Sequence, residues 1–175
     1  MLLIQLTGLS GAGKSTIAGK VKDLLDEAGL PSVVIDGDEY RKTLCKDLGF
    51  SKDDRFENIR RLGKLAFSFT EKGIIAIIAA INPFEEIRKE LRDEYGAKTV
   101  WVNCGLEELI RRDTKGLYKK ALLPDNSPDK IHNLTGINDT FEEPAGADLV
   151  LSTTSEMPAE SAEKLYQFIL SILQR

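Results

Sequence analysis

Eight residues near the start of the chain, Gly8-Leu9-Ser10-Gly11-Ala12-Gly13-Lys14-Ser15, fit the pattern G-x-x-x-x-G-K-[ST] without a gap. Their surroundings constrain the fold more than the match itself. Leu2–Leu6 is an apolar run of strand length. The segment after the motif carries Ile17, Val21, Leu24, Leu25 and Ala28 at helical spacing, stops at Gly29 and has Pro31 just beyond. A strand that turns through glycines into a helix aims backbone N–H groups at phosphate oxygens, because no Cβ obstructs them, and the helix N-terminus adds partial positive charge. In this Walker A arrangement Gly8, Ser10, Gly11, Ala12, Gly13 and Thr16 are expected around the phosphates of ATP. Lys14 reaches the β and γ groups, and the Ser15 hydroxyl is a ligand for Mg²⁺. The motif specifies triphosphate binding and leaves the reaction open.

Apolar runs alternate with helical patterns along the rest of the chain. Val33–Asp36, Ile74–Ile81, Thr99–Val102 and Asp148–Leu151 read as four further strands, with Ile74–Ile81, the longest and richest in β-branched residues, as the central one. Ile59, Leu62, Ala66 and Phe69 line one face of a helix ended by Gly73. Pro83–Tyr95 and a short stretch through Arg112 are helical, and Leu165, Phe168, Ile169, Ile172 and Leu173 mark a last helix. The alternation predicts an α/β, three-layer P-loop NTPase fold, a parallel five-stranded sheet with helices on both faces. A length of 175 residues fits a single domain, residues 1–175. Asp113–Gly146 lacks periodicity and holds Pro124, Pro128, Gly136 and Pro144, so it is expected to be a lid.

Other chemistries are poorly supplied. His132 is the only histidine and is expected on the surface, so neither a Ser-His-Asp triad nor a multi-histidine metal site is available. Cys45 and Cys104 lack metal-ligand spacing; Cys104 follows an apolar run and reads as a small buried residue, and a reduced, cytoplasmic protein is the expectation. The apolar start is too short for a membrane span, and a net charge of −4 gives no general attraction for nucleic acid. A guanine-reading N/T-K-x-D motif is missing, and the apolar strand ends in Asn82 where an acidic Walker B residue would stand. Asp36 and Asp38, at the end of the second strand, are left to do the acidic work of a small-molecule kinase.

After that strand come Asp36-Gly37-Asp38-Glu39-Tyr40-Arg41, Asp47-Leu48-Gly49-Phe50-Ser51, Glu57-Asn58-Ile59-Arg60-Arg61, Arg112-Asp113-Thr114-Lys115-Gly116-Leu117-Tyr118 and Leu134-Thr135-Gly136-Ile137. In this order they resemble the adenylylsulfate kinase family over nearly the whole chain. The resemblance implies transfer of the γ-phosphoryl of ATP to the ribose 3′-hydroxyl of adenosine 5′-phosphosulfate, within sulfate assimilation. It assigns Asp36 or Asp38 as the carboxylate at the transfer point, Asp38 on the acceptor side and Asp36 with Ser15 at the metal. It places Arg41, Phe50, Arg55, Asn58, Ile81, Asn82 and Leu134 around the acceptor, Lys115 as the lid cation and Arg112 on the ATP side. Arg60 and Arg61 are weighed as solvated charge instead. Pairing through helices into a homodimer is also implied, although no heptad or exposed patch marks it.

Three departures from the family pattern bear on the acceptor. Leu134 stands where a Phe that stacks on the acceptor base is usual. Asn82 replaces the serine of Ile-Ser-Pro, and the stretch between Tyr118 and Thr135 is longer than usual. The alternative they raise is a same-fold 3′-hydroxyl kinase for another nucleotide, such as cytidine diphosphoramidate. Gluconate- or shikimate-type kinases and a non-catalytic nucleotide-binding module are the more distant readings.

Overall fold

The computed structural model describes residues 1–174. Its core is a five-stranded sheet built from β1 (Leu3–Thr7), β2 (Ser32–Asp36), β3 (Ile75–Ala79), β4 (Lys98–Asn103) and β5 (Leu149–Ser152). All pairings are parallel, in the order β2-β3-β1-β4-β5. The strand after the phosphate-loop motif's own strand therefore lies at one edge, and β1 occupies the middle. The expectation that Ile74–Ile81 forms the central strand is corrected by one position. β3 is interior and fully buried, as its apolar run requires, but it ends at Ala79. Ala80–Asn82 leave the sheet, and Asn82 turns the chain with φ 46°.

Side-chain alternation sorts the strands onto two cores. Ile4, Leu6, Ile75, Ile77, Val100 and Val102 face helices α1 (Lys14–Glu27) and α7 (Pro158–Leu173). Leu3, Ile35, Ala76 and Ile78 face α3 (Lys52–Thr70) and α4 (Glu85–Tyr95), whose Ile59, Leu62, Ala66, Ile87 and Leu91 close the second core. The helices lie on both faces as the alternating pattern predicts. α4 begins two residues later than Pro83, at Glu85, because Phe84 is still extended.

Short helices complete the chain: α2 (Gly37–Tyr40), α5 (Leu106–Arg112) and α6 (Leu117–Ala121). α6 lies inside the segment read as lacking periodicity. Five residues carry too little pattern to register, yet Asp113 fixes the start of the helix by accepting from the backbone N–H groups of Tyr118 and Lys119. The segment then folds back over the phosphate loop. At Gly136 (φ 89°) an added Cβ would lie 2.6 Å from the Leu9 side chain, so only glycine permits that approach. At Gly8 (φ 149°) a Cβ would meet the Val102 carbonyl at 2.3 Å, which explains the first glycine of the motif. No described helix is long and apolar enough to cross a membrane.

Candidate active site

An open parallel sheet presents ligands with the carboxyl ends of its strands, and the predicted site residues gather there. The loop from Gly8 to Ser15 joins β1 to α1, with Gly13 in the left-handed region (φ 102°) as the helix opens. Lys14 is buried, and its ammonium donates to the carbonyls of Gly8 and Leu9, both at 2.8 Å. Burial pulls it down to about 8; Lys115 adds to the pull, while Asp38 and Asp36 oppose it. Ser15 donates to Asp36, whose other oxygen accepts from the Asp38 N–H at 2.9 Å and so caps α2. Gly8 and Ala12 shape the loop from beneath and do not form its cavity wall. Tyr118 in α6 donates its buried hydroxyl to the Ser10 carbonyl at 2.7 Å, locking the start of the 113–146 segment onto the loop.

Two cavities open from this loop. One of about 210 Å³ lies over Gly13, Lys14, Ser15, Thr16 and Asp36. The other, about 450 Å³, is walled by Arg41, Phe50, Arg55, Asn58, Asn82 and Leu134 among others. They share Ser10, Asp38, Ala80, Ile81 and Lys115, so they meet where Asp38 and Lys115 pair at 2.5 Å. Burial pushes the Asp38 carboxyl up, but the Lys115 hydrogen bond and the charges of Lys115, Lys14 and Arg41 outweigh it, and the net effect is downward.

In the larger cavity Arg41 stacks over the Phe50 ring, 4.5 Å from its centre, and donates to the Gly49 carbonyl at 2.9 Å. Arg55 lies 5.6 Å from the same ring. Burial, and after it the neighbouring Arg55, draw Arg41 below its ordinary value, against the opposing charges of Asp38 and Asp54. Arg55 is also tied to the returning segment, through the Asn133 carbonyl at 2.9 Å and Asp139 at 2.6 Å. Phe50 is half exposed, as a platform for a ligand would be, whereas Leu134 lines the same cavity from a buried position.

Arg112 lies apart from this cluster. It borders a crevice with Gly11, Thr114 and Tyr118 and is held by Glu108 and the Thr153 carbonyl. Arg60 and Arg61 pair with Glu90, Asp47 and Glu57, outside both cavities, in agreement with the solvated-charge reading. His132 is exposed and Cys104 is buried, as expected, and Cys45 is buried as well. Sequence reasoning passed over Arg88, Gln5, Thr135 and Asp139. Arg88 is fully buried and joins α4 to the Asn82 carbonyl (2.8 Å) and the Glu142 carbonyl (2.7 Å). Its place on the stripe of Phe84, Ile87 and Leu91, four residues after the first and three before the last, was the signal that could have found it.

Comparison with known proteins decides among the kinases of this architecture. The sequence pattern of the family described as "Adenylylsulphate kinase" matches residues 1–152. The chain belongs to the adenylylsulfate kinase family. Among curated adenylyl-sulfate kinases it is 46% identical to that of Bacillus pumilus, over 95% of this chain and 84% of the relative. To that of Picosynechococcus it is 43% identical, over 93% and 89%. The solved adenylylsulfate kinase of Mycobacterium tuberculosis, in complex with AMPPNP and APS, superposes with a TM-score of 0.88 at 34% identity, covering 97% of each chain. The shikimate kinase of Aquifex aeolicus, at 15% identity and a TM-score of 0.57, shares the fold alone. Of those motifs, Asp36, Asp38, Arg41, Phe50, Asn58, Lys115 and Leu134 line the two joined cavities, and the gluconate- and shikimate-type readings are set aside.

Proposed function

We propose that this chain transfers the γ-phosphoryl group of ATP to the ribose 3′-hydroxyl of adenosine 5′-phosphosulfate. The observation that carries the reading is the junction of the two cavities at Asp38 and Lys115, with the phosphate loop on one side and a cationic, aromatic pocket on the other. A relative of the same fold, from Mycobacterium tuberculosis, accommodates a triphosphate analogue and APS together.

Each residue then has a role. Lys14 leaves the Gly8 and Leu9 carbonyls for the β- and γ-phosphate oxygens. Ser15 and Asp36 offer two oxygen donors, and among the described residues no cluster of three His, Cys, Asp or Glu forms a closed metal cage. That open oxygen set fits Mg²⁺, which retains waters and substrate phosphates as ligands. When bound, the ion offsets charge on the phosphates. Asp38 orients the 3′-hydroxyl and accepts its proton as the hydroxyl oxygen bonds to the γ-phosphorus and the bond to the ADP oxygen breaks. Lys115, released from Asp38, follows the transferring charge. Arg41 takes the phosphosulfate oxygens through paired N–H donors and Arg55 through the Nη1 group that Phe50, Asn133 and Asp139 leave free, Phe50 stacks on the base, and 113–146 acts as the lid. A 3′-deoxy acceptor is the direct test: it should bind and release no ADP, whereas turnover equal to that of the ribose compound would place the transfer elsewhere.

A second reading, the same transfer to a cytidine nucleotide such as cytidine diphosphoramidate, is favoured by the aliphatic Leu134 at the cavity wall. Leu134→Phe is expected to tighten adenine-nucleotide acceptor binding by about tenfold, since base–aromatic stacking contributes about 1–3 kcal/mol. Acceptor KM measurements check this, and an unchanged or weaker KM would mean that residue 134 does not face the base.

Binding of ATP near pH 8 is expected to take up protons. Lys14 is charged below about 8 and loses its charge above, and phosphate oxygens draw the proton back. ATP affinity should therefore fall as pH rises through 8. The cost of burying the ammonium acts below about 8 and is relieved between 8 and the ordinary 10.5, so the free protein gains stability over that window. Calorimetric titration in two buffers of different ionisation heat reads the uptake; equal heats would contradict it.

A further inference from the structure

Arg55 is withdrawn from solvent, with 7% of its side chain exposed, and most of its guanidinium is already engaged by the protein. Nε donates to the Phe50 carbonyl at 3.0 Å, and Nη2 donates to the Asn133 carbonyl at 2.9 Å and to Asp139 Oδ2 at 2.6 Å. A guanidinium carries five N–H groups, so the pair on Nη1 is left. Nη1 makes no hydrogen bond among the described residues, yet it is not among the buried side-chain atoms left without a partner, so it keeps accessible surface. The cavity that Arg55 lines is the larger one. The free end of the fork therefore opens toward the acceptor.

Of the three groups that hold Arg55, Asp139 alone carries charge. It lines neither cavity and so stands behind Arg55, out of reach of the acceptor. Its own position is set twice. Oδ1 accepts from the Thr140 N–H at 2.8 Å, and its backbone carbonyl accepts from the Gly136 N–H at 2.8 Å. Gly136 packs against Leu9 of the phosphate loop, where a Cβ would not fit. The turn 135–139 thus rests on the ATP side and reaches Arg55 on the acceptor side.

A second arginine makes that anchor matter. Arg41 and Arg55 share the Phe50 ring, at 4.5 and 5.6 Å from its centre, so the pocket holds two cations side by side. A carboxylate on Arg55 offsets their repulsion and fixes the plane of the fork before the acceptor arrives, which lowers the cost of binding. An amide in the same place fails, because Thr140 N–H and Arg55 Nη2 both donate and an amide has a single oxygen to accept. Nη1 can serve an anionic oxygen or a ribose hydroxyl of the acceptor, and Asp139 fixes its direction in both cases. We propose that Asp139 is a positioning residue that holds the Arg55 guanidinium with Nη1 aimed at the acceptor, and so sets acceptor affinity from behind the pocket wall.

This inference rests on the nucleotide 3′-kinase reading, and the experiment separates the two. KM and kcat are measured for adenosine 5′-phosphosulfate, or for cytidine diphosphoramidate if the wild-type protein turns over only that compound. Asp139→Asn should raise the acceptor KM about tenfold to hundredfold, the usual weight of one charge-assisted hydrogen bond. The KM for ATP should be unchanged and kcat should stay within about threefold, the pattern of lost uniform binding. In an Arg55→Lys protein, whose acceptor KM is already raised, Asp139→Asn should add nothing, because the carboxylate acts through the fork. A carboxylate that only repelled the anionic acceptor would lower KM when removed. One that served stability alone would shift the melting temperature and leave KM unchanged. Either result overturns the inference, as does an effect that persists undiminished in Arg55→Lys. If Asp139→Asn fails to fold, the wild-type protein still decides. Its Arg55 Nε–H signal in a proton–nitrogen NMR spectrum, identified by its loss in Arg55→Lys, should exchange slowly before acceptor is added, and a signal that emerges only with acceptor overturns the inference. Turnover of neither acceptor by the wild-type protein overturns the kinase reading and this inference together.

Discussion

Replacing Lys14 with alanine is expected to lower ATP-dependent phosphoryl transfer by about 10²–10³-fold or more, the loss that follows removal of one preorganised charge at a transition state. The ammonium reaches the only place in the smaller cavity where the phosphate loop supplies a full positive charge from its own sequence. Its two carbonyl contacts belong to the ligand-free loop and compete only weakly with phosphate oxygens. The fold should survive, because alanine removes the cost of a buried ammonium together with the two hydrogen bonds it makes. ADP release measured beside a thermal melt separates the two effects. An active Lys14→Ala protein would remove the basis for assigning the loop to ATP.

Asp38→Asn is expected to lower kcat by about 10²–10⁴-fold, the usual contribution of a positioned general base, with little change in the KM for ATP. Asparagine keeps the size and one oxygen but cannot accept the 3′-hydroxyl proton. Asp38 and Lys115 are both largely exposed, so their ion pair contributes little to stability and its loss should not unfold the protein. Asp36→Asn offers the contrast. Asp36 contacts Ser15 and caps α2, so its change should raise the Mg²⁺ concentration needed for half-maximal rate. Equal kcat effects with no change in Mg²⁺ dependence for either variant would mean the two carboxylates do not divide the work in this way.

The phosphate loop was legible because its chemistry is contiguous: strand, glycines, Lys14 and the amphipathic face of α1 all follow one another in sequence. Asp36 and Asp38 were legible from the end of the second strand and Lys115 only through motif order, and the pairing of Lys115 with Asp38 across 77 residues is a tertiary fact. Strand order was not legible, since pattern alone makes β3 look central when β1 takes that place. Asn82 was noticed as a departure, yet its setting depends on Gln5, Thr7, Arg88 and Thr99, which come from β1, α4 and β4. Arg55 read as a ligand contact, and its bond to Asp139 shows that it also fastens α3 to the returning segment. Helical spacing can place Arg55 and Arg88 on a buried face, beside Ile59 and Leu62 or Ile87 and Leu91, but it cannot name their partners, which lie on other elements.

The central claim is tested most directly by ADP release with Mg-ATP and a panel of acceptors: adenosine 5′-phosphosulfate, AMP, CMP, CDP and cytidine diphosphoramidate. Turnover of adenosine 5′-phosphosulfate at about 1–100 s⁻¹, the range typical of kinases, with little or none on the others, is the predicted result. Negligible ADP release with adenosine 5′-phosphosulfate beside clear release with a cytidine acceptor would contradict it, and would make Leu134 and Asn82 the marks of a changed substrate on an unchanged phosphoryl-transfer site.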